Sequence, residues 1–509
     1  MPLYAELHCL SNFSFQRGAS SADELFERAA ALGYAALAIT DECSFAGSVR
    51  AWEASKATGI ALIVGTEVRL ADGPKLVLLA ADQNGYSELC RLITIGRRRC
   101  AKGEYRLLCS DVEALGPSVL VLWVPQFSAG LPKAQQKRND NNDDVHAEWL
   151  ATHFGERAWI AVELHHGPDD AAVITRLRAL GERHALPLVA AGDVHMHVRR
   201  RRALQDALTA IGLNCTIAEA GRRLFPNGER HLRRVDALAV LYPPDLIAET
   251  LRIAARCTFT FDGLNYQYPH ELVPQGHTQT TYLRELTFAG ADKRWPLGFD
   301  EAIRVQLEKE LALIASFKFE QFFLTVHDIV AWARDQTPPI LCQGRGSSAN
   351  SAVCYCLGIT AVDPAHGNLL FERFLSKERK EPPDIDVDFE HERREEVIQY
   401  VFNKYGRERA ALAASVIRYR RKSAVRDIAR VLDLADDQID QLNRAYALAH
   451  DEATLGVALR ERGFDPASRV IRQLVALVKE LRGFPRHLSQ HVGGFVISEH
   501  PLHHLVPIE

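Results

Sequence analysis

Short apolar runs alternate with amphipathic stretches through the first two hundred residues. The apolar runs predict strands at Ala5–Leu10, Tyr34–Thr40, Ile60–Val68, Trp159–Leu164 and Pro187–Ala191. A capping box at Ser21–Glu24 opens a helix between the first two runs, and this helix is expected to end near Gly33. Another helix is predicted over Ala46–Ala57. Buried apolar strands that alternate with helices are typical of a parallel sheet, either open or closed into a barrel.

Polar side chains follow these strands at their carboxyl ends. They are His8, Asp41, Glu67, Glu163, His165, His166, Asp193 and His195. Because the carboxyl ends of parallel strands meet at one rim of an α/β barrel, we expect these side chains to converge. Imidazoles and carboxylates that converge can bind a divalent metal ion. The alternative is that each residue caps a helix or lies in a solvated loop.

The middle of the chain contains a polar excursion and then a domain boundary. Residues Pro132–Asp144 are polar and of low complexity, which predicts a solvated excursion inside the first domain. Prolines and aromatic residues are frequent in Tyr242–Pro274, and we place the main domain boundary there. The helix within it, Leu246–Cys257, is expected to pack on the first domain. Apolar spacing predicts a long helix over Glu301–Phe317.

A glycine- and serine-rich turn follows a short predicted strand at Pro339–Cys342 and precedes a helix-like stretch, Ala349–Leu357. The turn consists of Gly344, Arg345, Gly346, Ser347 and Ser348. Such a turn exposes backbone N–H groups and a helix dipole, and arginine donates to phosphate oxygens. The pattern predicts an anion-binding loop suited to a triphosphate or phosphodiester, and a tight turn with a serine cap is the alternative. A dinucleotide fingerprint also matches, but no second apolar strand follows it.

The segment Pro383–Phe389 alternates acidic and apolar residues. Strict alternation places Asp384, Asp386 and Asp388 on one face of a strand. Like charges on one strand face repel, so divalent cations are expected to compensate them. Two such carboxylates can bridge two Mg²⁺ ions about 4 Å apart, the geometry of an in-line phosphoryl displacement. A solvated acidic edge strand is the alternative.

Residues 407–430 contain eight Lys or Arg and two acidic residues, a local charge of +6. The cations Arg418, Arg420, Arg421 and Lys422 surround an aromatic residue, a pattern that suits a nucleic-acid backbone. A solvated helix face is the alternative. Residues 431–480 predict amphipathic helices, and His491–Ile497 predicts a strand.

The composition is that of an ordinary globular protein, and its 509 residues predict about three domains. The 61 basic and 65 acidic residues give a net charge of −4, so any phosphate-binding surface must be local. Ten cysteines are too few for a disulfide scaffold. The amino terminus lacks a signal-peptide pattern, and no apolar run approaches the length of a membrane span. We therefore predict a cytoplasmic protein without a membrane partner.

The rim motifs of the first domain resemble those of the PHP (polymerase and histidinol phosphatase) domain. The motifs are His8-Cys-Leu-Ser11, Thr40-Asp-Glu42, Gly65-Thr-Glu67 and Asp193-Val-His195. The resemblance implies a metal-dependent phosphoesterase barrel with ligands at His8, Asp41, Glu67, Asp193 and His195. The family's first motif normally reads His-x-His and its second Asp-His, whereas this chain has Leu10 and Glu42. Leucine cannot bind a metal ion, so we expect at most a degraded metal site.

The later motifs resemble the C-family of bacterial DNA polymerases. They are Gly344-Arg-Gly-Ser347, Phe371-Glu-Arg-Phe374 and the strand Pro383–Phe389, while Phe323–Asp328 and Glu390–Arg394 resemble the error-prone, translesion branch. The resemblance implies two-metal nucleotidyl transfer, with Mg²⁺ on Asp386 and Asp388 and the triphosphate at Gly346 and Ser347. It implies a primer-template DNA and deoxynucleoside triphosphates as substrates. It also implies a role in damage-induced mutagenesis and DNA repair, with a sliding clamp and other mutagenesis proteins as partners.

The same resemblance implies an α/β multidomain architecture. A PHP-type β/α barrel (residues 1–235) and a linker (236–275) precede a polymerase-beta-like nucleotidyltransferase palm (276–417), a helical thumb (418–490) and a returning palm segment (491–509). In the family a third catalytic aspartate lies beyond Glu509. We therefore expect an amino-terminal part of a longer polymerase, or a truncated product, that polymerises poorly by itself. The alternatives are a metal-dependent phosphoesterase of the PHP domain and a non-catalytic fragment that binds nucleic acid or a partner.

Overall fold

A computed structural model describes residues 3–125, 133–264, 266–270, 272–363, 375 and 385–509, with residues 133–141 and 452 described by their backbone alone. The chain divides into two units. The first unit comprises Met1–Leu264, Ala414–His491 and His503–Glu509, and the second comprises Asn265–Ala413 and Val492–Leu502. The division after Leu264 falls inside the predicted linker. Within the described ranges, none of the helices has the length and apolarity that crossing a bilayer requires.

Among the described residues of the first unit, seven strands form one sheet. They are β1 (Ala5–Glu6), β2 (Ala36–Ile39), β3 (Ala61–Arg69), β4 (Lys75–Ala80), β5 (Val119–Val124), β6 (Ala158–Glu163) and β7 (Leu188–Ala191). The strands pair in chain order, and an isolated parallel bridge between Cys9 and Val194 joins the two edges. The predicted β/α barrel is therefore present as a nearly closed barrel-like sheet.

One part of the strand prediction is wrong, because β4 runs antiparallel to both β3 and β5. The other neighbouring pairs are parallel, which agrees with the prediction for β1, β2, β3, β6 and β7. The strands β4 and β5 were not predicted from the sequence. Only residues 70–74 connect β3 to β4, and Leu70 N–H donates to Pro74 O across this turn. A connection this short joins antiparallel strands, since a parallel crossover needs about a dozen residues.

Ten helices of the described chain accompany the sheet. They are α1 (Ala22–Leu32), α2 (Ser48–Thr58), α3 (Gln83–Arg98), α4 (Cys109–Glu113), α5 (Lys133–Phe154), α6 (Asp170–His184), α7 (Arg202–Gly212), α8 (Ile217–Ala220), α9 (Val235–Leu241) and α10 (Pro244–Arg256). The predicted capping box is confirmed, because Ser21 and Glu24 cap α1 reciprocally and Gly33 ends it with φ 74°. The polar stretch predicted as a solvated excursion is helical from Lys133 onward, since its Ala, Gln and Lys residues favour helix. Pro132 lies outside the described residues.

Both faces of the barrel strands are buried. Along β5, Val121 and Trp123 face the layer under the outer helices, whereas Leu120 and Leu122 face the barrel interior. This double burial explains why the strands appear in the sequence as continuous apolar runs. The predicted packing of α10 on the barrel is confirmed, because Ile253 is buried with the interior cluster.

The described residues of the second unit form five helices and a two-stranded sheet. They are α11 (Gln279–Arg294), α12 (Glu301–Phe317), α13 (Glu320–Arg334), β8 (Cys342–Arg345), α14 (Ala352–Cys356), β9 (Asp386–Phe389) and α15 (Arg394–Tyr405). The helix predicted over Glu301–Phe317 is confirmed. The strand predicted at Pro339–Cys342 instead begins at Cys342, because proline has no N–H to donate to a ladder.

The rest of the chain is a helical segment between two paired strands. Its elements are β10 (Ala410–Arg418), α16 (Arg421–Val431), α17 (Asp436–Leu448), α18 (Glu452–Glu461), α19 (Arg469–Leu481) and β11 (Pro485–Ile497). The amphipathic helices predicted over 431–480 are confirmed. Their apolar faces, represented by Leu442 and Leu474, share one core with Leu208 of α7 within the first unit.

Candidate functional sites

A buried ionic cluster lies at the carboxyl-terminal ends of four barrel strands. His8 follows β1, Glu67 lies in β3, Glu163 ends β6, and Asp193 follows β7. His8 Nε2 lies 2.8 Å from Glu67 Oε2, and His8 Nδ1 lies 2.6 Å from Glu163 Oε1. Ligand atoms of His8, Glu67 and Asp193 all lie within 4.8 Å of one another, a separation at which they could hold a metal ion. The rim predicted from the sequence therefore brings these residues together.

The pKa values of His8 and Glu67 favour the charged forms of both side chains although both are buried. Burial opposes protonation of His8, but the attraction of Glu163 and hydrogen bonds to Glu163 and Glu67 raise its pKa to about 9. Burial also opposes ionisation of Glu67, but Lys75 and Arg17 hold the pKa of this carboxyl well below its usual value. The cluster is thus held together by attraction between opposite charges.

Asp41 and His195, which were also predicted at this rim, lie outside the set of three candidate ligands. The Asp41 carboxylate accepts hydrogen bonds from Ser11 N (2.8 Å), Ser11 Oγ (2.6 Å) and Ser14 Oγ (2.7 Å), so it ties down the loop after β1. His195 Nε2 lies 3.0 Å from Asp193 Oδ1, and burial lowers the pKa of His195 to about 4. Leu10, which stands where the family's first motif has its second histidine, is fully buried.

Three basic side chains contact the carboxylates of the cluster, and none of them was predicted from the sequence. Lys75 Nζ lies 2.8 Å from Glu67 Oε2, Arg17 Nη1 lies 2.7 Å from Glu67 Oε1, and the Arg230 guanidinium contacts Asp193. A usable signal existed only for Lys75, which opens an otherwise apolar strand. The two arginines lie in loops, where a basic residue is unremarkable in sequence.

A second candidate site is formed by β8 and β9. The strands pair antiparallel, with Arg345 opposite Asp386 and Gln343 opposite Asp388. Asp386 and Asp388 are exposed, whereas Val387 packs on the core of the second unit, as the alternation predicts. Asp384 and the motif Phe371–Phe374 lie outside the described residues.

The glycine loop lies beside this carboxylate strand. Gly346 has φ 67°, in the left-handed region that favours glycine, and a Cβ there would lie 3.8 Å from Asp386 Oδ2. The Arg345 guanidinium contacts the Asp388 carboxylate, and Ser348 Oγ donates to Arg345 O at 2.7 Å. The helix predicted from Ala349 begins only at Ala352, because Gly346–Asn350 form a 3₁₀ turn.

Glu310 of α12 is a buried residue of this site that the sequence analysis missed. Its carboxylate accepts from Ser351 Oγ (2.8 Å), Ala352 N (3.1 Å) and Val353 N (3.1 Å), and burial raises its pKa. The carboxylate therefore occupies the amino-terminal end of α14. The prediction that the glycine loop binds an anion stays a prediction, and the N–H groups of Ala352 and Val353 at this helix end already have the Glu310 carboxylate as their acceptor.

The predicted basic segment divides into exposed and structural residues. Arg418, Arg420 and Lys422 are exposed. Arg421 instead donates from Nη1 to the Tyr446 carbonyl at 2.5 Å, at the carboxyl-terminal end of α17. Tyr419 is buried in the helical core, so it presents no stacking face to a base.

Comparison with known protein families gives matches for two parts of the chain. Residues 6–184 match the PHP domain, and residues 281–509 match the bacterial DNA polymerase III alpha NTPase domain. The chain therefore carries a PHP domain followed by a segment that matches the bacterial DNA polymerase III alpha NTPase domain.

Over almost its whole length the chain is similar to error-prone DNA polymerases. It is 60% identical over 506 residues to the one from Pseudomonas syringae pv. tomato, covering 99% of this chain and 48% of the relative. It is 58% identical over 509 residues to the one from Pseudomonas aeruginosa, covering 100% and 48%. The chain spans about half the length of the curated relatives it matches. The resemblance to the error-prone branch is thus confirmed.

A solved structure of an amidohydrolase from Chromobacterium violaceum also matches part of the chain. It is 18% identical, with a TM-score of 0.28, and the match covers 38% of this chain and 87% of that one. A TM-score of this size carries no argument about the fold.

Proposed function

We propose that this chain supplies the metal- and nucleotide-binding part of an error-prone DNA-directed DNA polymerase. The observation that carries the proposal is the pairing of β8 with β9, which sets Asp386 and Asp388 beside the loop Gly344–Ser348. Relatives named error-prone DNA polymerase, at about 60% identity, support the same assignment. In this proposal residues 276–417 form a polymerase-beta-like palm and residues 418–490 a helical thumb.

Asp386 and Asp388 fit two Mg²⁺ ions, because both present hard carboxylate oxygens to solvent on one face of β9. When bound, the ions would lower the charge of the triphosphate and favour attack by the primer 3′-hydroxyl. The loop residues hold the triphosphate. Gly346 allows the backbone to approach it closely, and Arg345 exchanges its contact with Asp388 for phosphate oxygens.

The exposed cations Arg418, Arg420 and Lys422 bind the backbone of the primer-template. The whole protein would use deoxynucleoside triphosphates in translesion synthesis during damage-induced mutagenesis. It would work in the cytoplasm with a sliding clamp and other mutagenesis proteins. The phosphoesterase alternative is not favoured, because basic side chains engage the carboxylates of the barrel rim.

The test is Mg²⁺-dependent binding of a fluorescent deoxynucleoside triphosphate to this chain, together with primer extension by the whole protein. Asp388→Asn should weaken nucleotide binding at least tenfold and abolish extension. Asp335→Asn is the matched control, since Asp335 is an exposed acidic residue of the same unit outside the site. Nucleotide binding or extension that survives Asp388→Asn contradicts the proposal.

A further inference from the structure

A lysine ammonium faces the space in which the PHP resemblance places a metal ion. The candidate ligand atoms are His8 Nε2, Glu67 Oε2 and Asp193 Oδ1. Lys75 Nζ lies 2.8 Å from the first of these two carboxylate oxygens and 4.0 Å from the second. Lys75 is itself buried, at 9% exposure, so its ammonium group is directed into the cluster and not into solvent.

The other carboxylate oxygens of Glu67 and Asp193 also have protein partners. Glu67 Oε1 lies 2.7 Å from Arg17 Nη1, and Asp193 Oδ2 contacts the Arg230 guanidinium. Asp193 Oδ1 additionally lies 3.0 Å from His195 Nε2. A divalent cation would therefore have to displace these donors, and it would be repelled by the neighbouring ammonium.

Cations of the chain supply the counter-charges that a bound metal ion would otherwise supply. Buried carboxylates need counter-charges, which in metal sites come from the bound ion. Here Lys75 and Arg17 lie beside the Glu67 carboxylate, and Arg230 contacts the Asp193 carboxylate. Both candidate carboxylate ligands are therefore already paired with side-chain cations.

We propose that Lys75, together with Arg17 and Arg230, takes the structural place of the metal ion, so that the rim of this barrel is held together without a divalent cation. Removal of Lys75 should then uncover a metal site. Two carboxylate oxygens and one imidazole nitrogen would remain, a donor set that Mn²⁺ and Zn²⁺ accept. This proposal does not depend on the nucleotidyl transfer proposed above.

The test measures Mn²⁺ binding to the 509-residue chain from the electron paramagnetic resonance signal of the free ion. The parent carries Asp386→Asn and Asp388→Asn, which remove the other carboxylate site. Mn²⁺ is preferred to Zn²⁺ because the ten cysteines could bind Zn²⁺. We expect Glu67→Gln to leave the Mn²⁺ binding of the parent unchanged. We expect Lys75→Ala to bind one Mn²⁺ at least tenfold more tightly than the parent, and Glu67→Gln to remove that gain.

Lys56→Ala is the matched control. Lys56 forms an exposed ion pair with Asp262, at 3.0 Å in the same unit, and its loss should create no Mn²⁺ site. If Lys75→Ala does not fold, Lys75→Met takes its place, because methionine retains the apolar stem. The Mn²⁺ binding of the parent with and without Glu67→Gln tests the proposal even without a Lys75 variant. The proposal is overturned if the parent binds a Mn²⁺ ion that Glu67→Gln removes, or if a folded Lys75 variant gains none.

Discussion

Replacement of Glu310 should destabilise the junction between the glycine loop and α14. The Glu310 carboxylate accepts hydrogen bonds from Ser351 Oγ, Ala352 N and Val353 N in a fully buried setting. In Glu310→Ala the hydroxyl can rotate to another partner, but the two backbone N–H groups lose theirs. An unsatisfied buried donor costs about 1–3 kcal/mol, so we expect a local loss of about 3 kcal/mol.

Glu310→Gln should have a smaller effect. Its amide oxygen can still accept at the position of Oε2, near Ser351 and Val353, whereas its amide nitrogen faces the N–H of Ala352. In the wild type, Gln306 Nε2 donates to Glu310 Oε1 at 2.7 Å, but the Gln306 amide can flip so that its oxygen accepts from the new amide nitrogen. One hydrogen bond, that of Ala352 N–H, is then lost, which predicts a local cost of about 1 kcal/mol. The order wild type, Gln variant, Ala variant is therefore part of the prediction.

Hydrogen exchange read by mass spectrometry on a peptide that covers Ser351–Cys356 measures this local stability. At about 1.4 kcal/mol per factor of ten, exchange should accelerate about 100-fold in Glu310→Ala and severalfold in Glu310→Gln. Glu308→Gln on the same helix is the control, because Glu308 is exposed and pairs only at the surface with Arg284. Unchanged exchange in Glu310→Ala, or equal acceleration in the control, would refute this account of the loop.

Two further predictions concern charge. Protonated His8 should stabilise the first unit fully below pH 6.5, its ordinary pKa, and this stability should be lost as pH rises through its folded value of about 9. Urea unfolding at pH 6 and pH 9.5 should therefore show a larger loss in wild type than in His8→Gln, and equal losses would contradict the assignment. Arg420→Ala should weaken DNA binding and reduce its salt slope by about one without changing the melting temperature. Arg421→Ala should instead lower the melting temperature, since Arg421 holds the end of α17, and the reverse pattern would be evidence against this division.

Elements fixed by local pattern could be predicted from the sequence. The capping residues Ser21 and Gly33 and the apolar spacing of Glu301–Phe317 depend on neighbours along the chain, so α1 and α12 lie where the pattern predicts them. The convergence of His8, Glu67 and Asp193 followed from one rule, that the carboxyl ends of barrel strands share a rim.

Features that depend on pairing between distant segments could not be predicted. Lys75 and Arg230 lie far apart in the chain, and both approach Asp193 in the folded structure. No spacing pattern in the sequence predicts that these side chains lie close together. Glu310 shows a related limit, because an acidic residue in an amphipathic helix is normally solvent-exposed, and only the packed structure shows its burial against α14. The register that places Arg345 opposite Asp386 likewise spans forty residues of chain.

The closure of the barrel has a consequence for how the cluster can be observed. The seam between the first and last strands is short, and it includes the hydrogen bonds Leu10 N to Val194 O (2.8 Å) and Val194 N to His8 O (2.9 Å). The backbone carbonyl of His8 belongs to the seam, and Asp193 directly precedes Val194 of the seam, while the side chains of both residues belong to the ionic cluster. The backbone amides of Leu10 and Val194 are therefore internal reporters of the ionic cluster. Their hydrogen exchange with solvent should accelerate whenever the contacts between the cluster side chains are weakened.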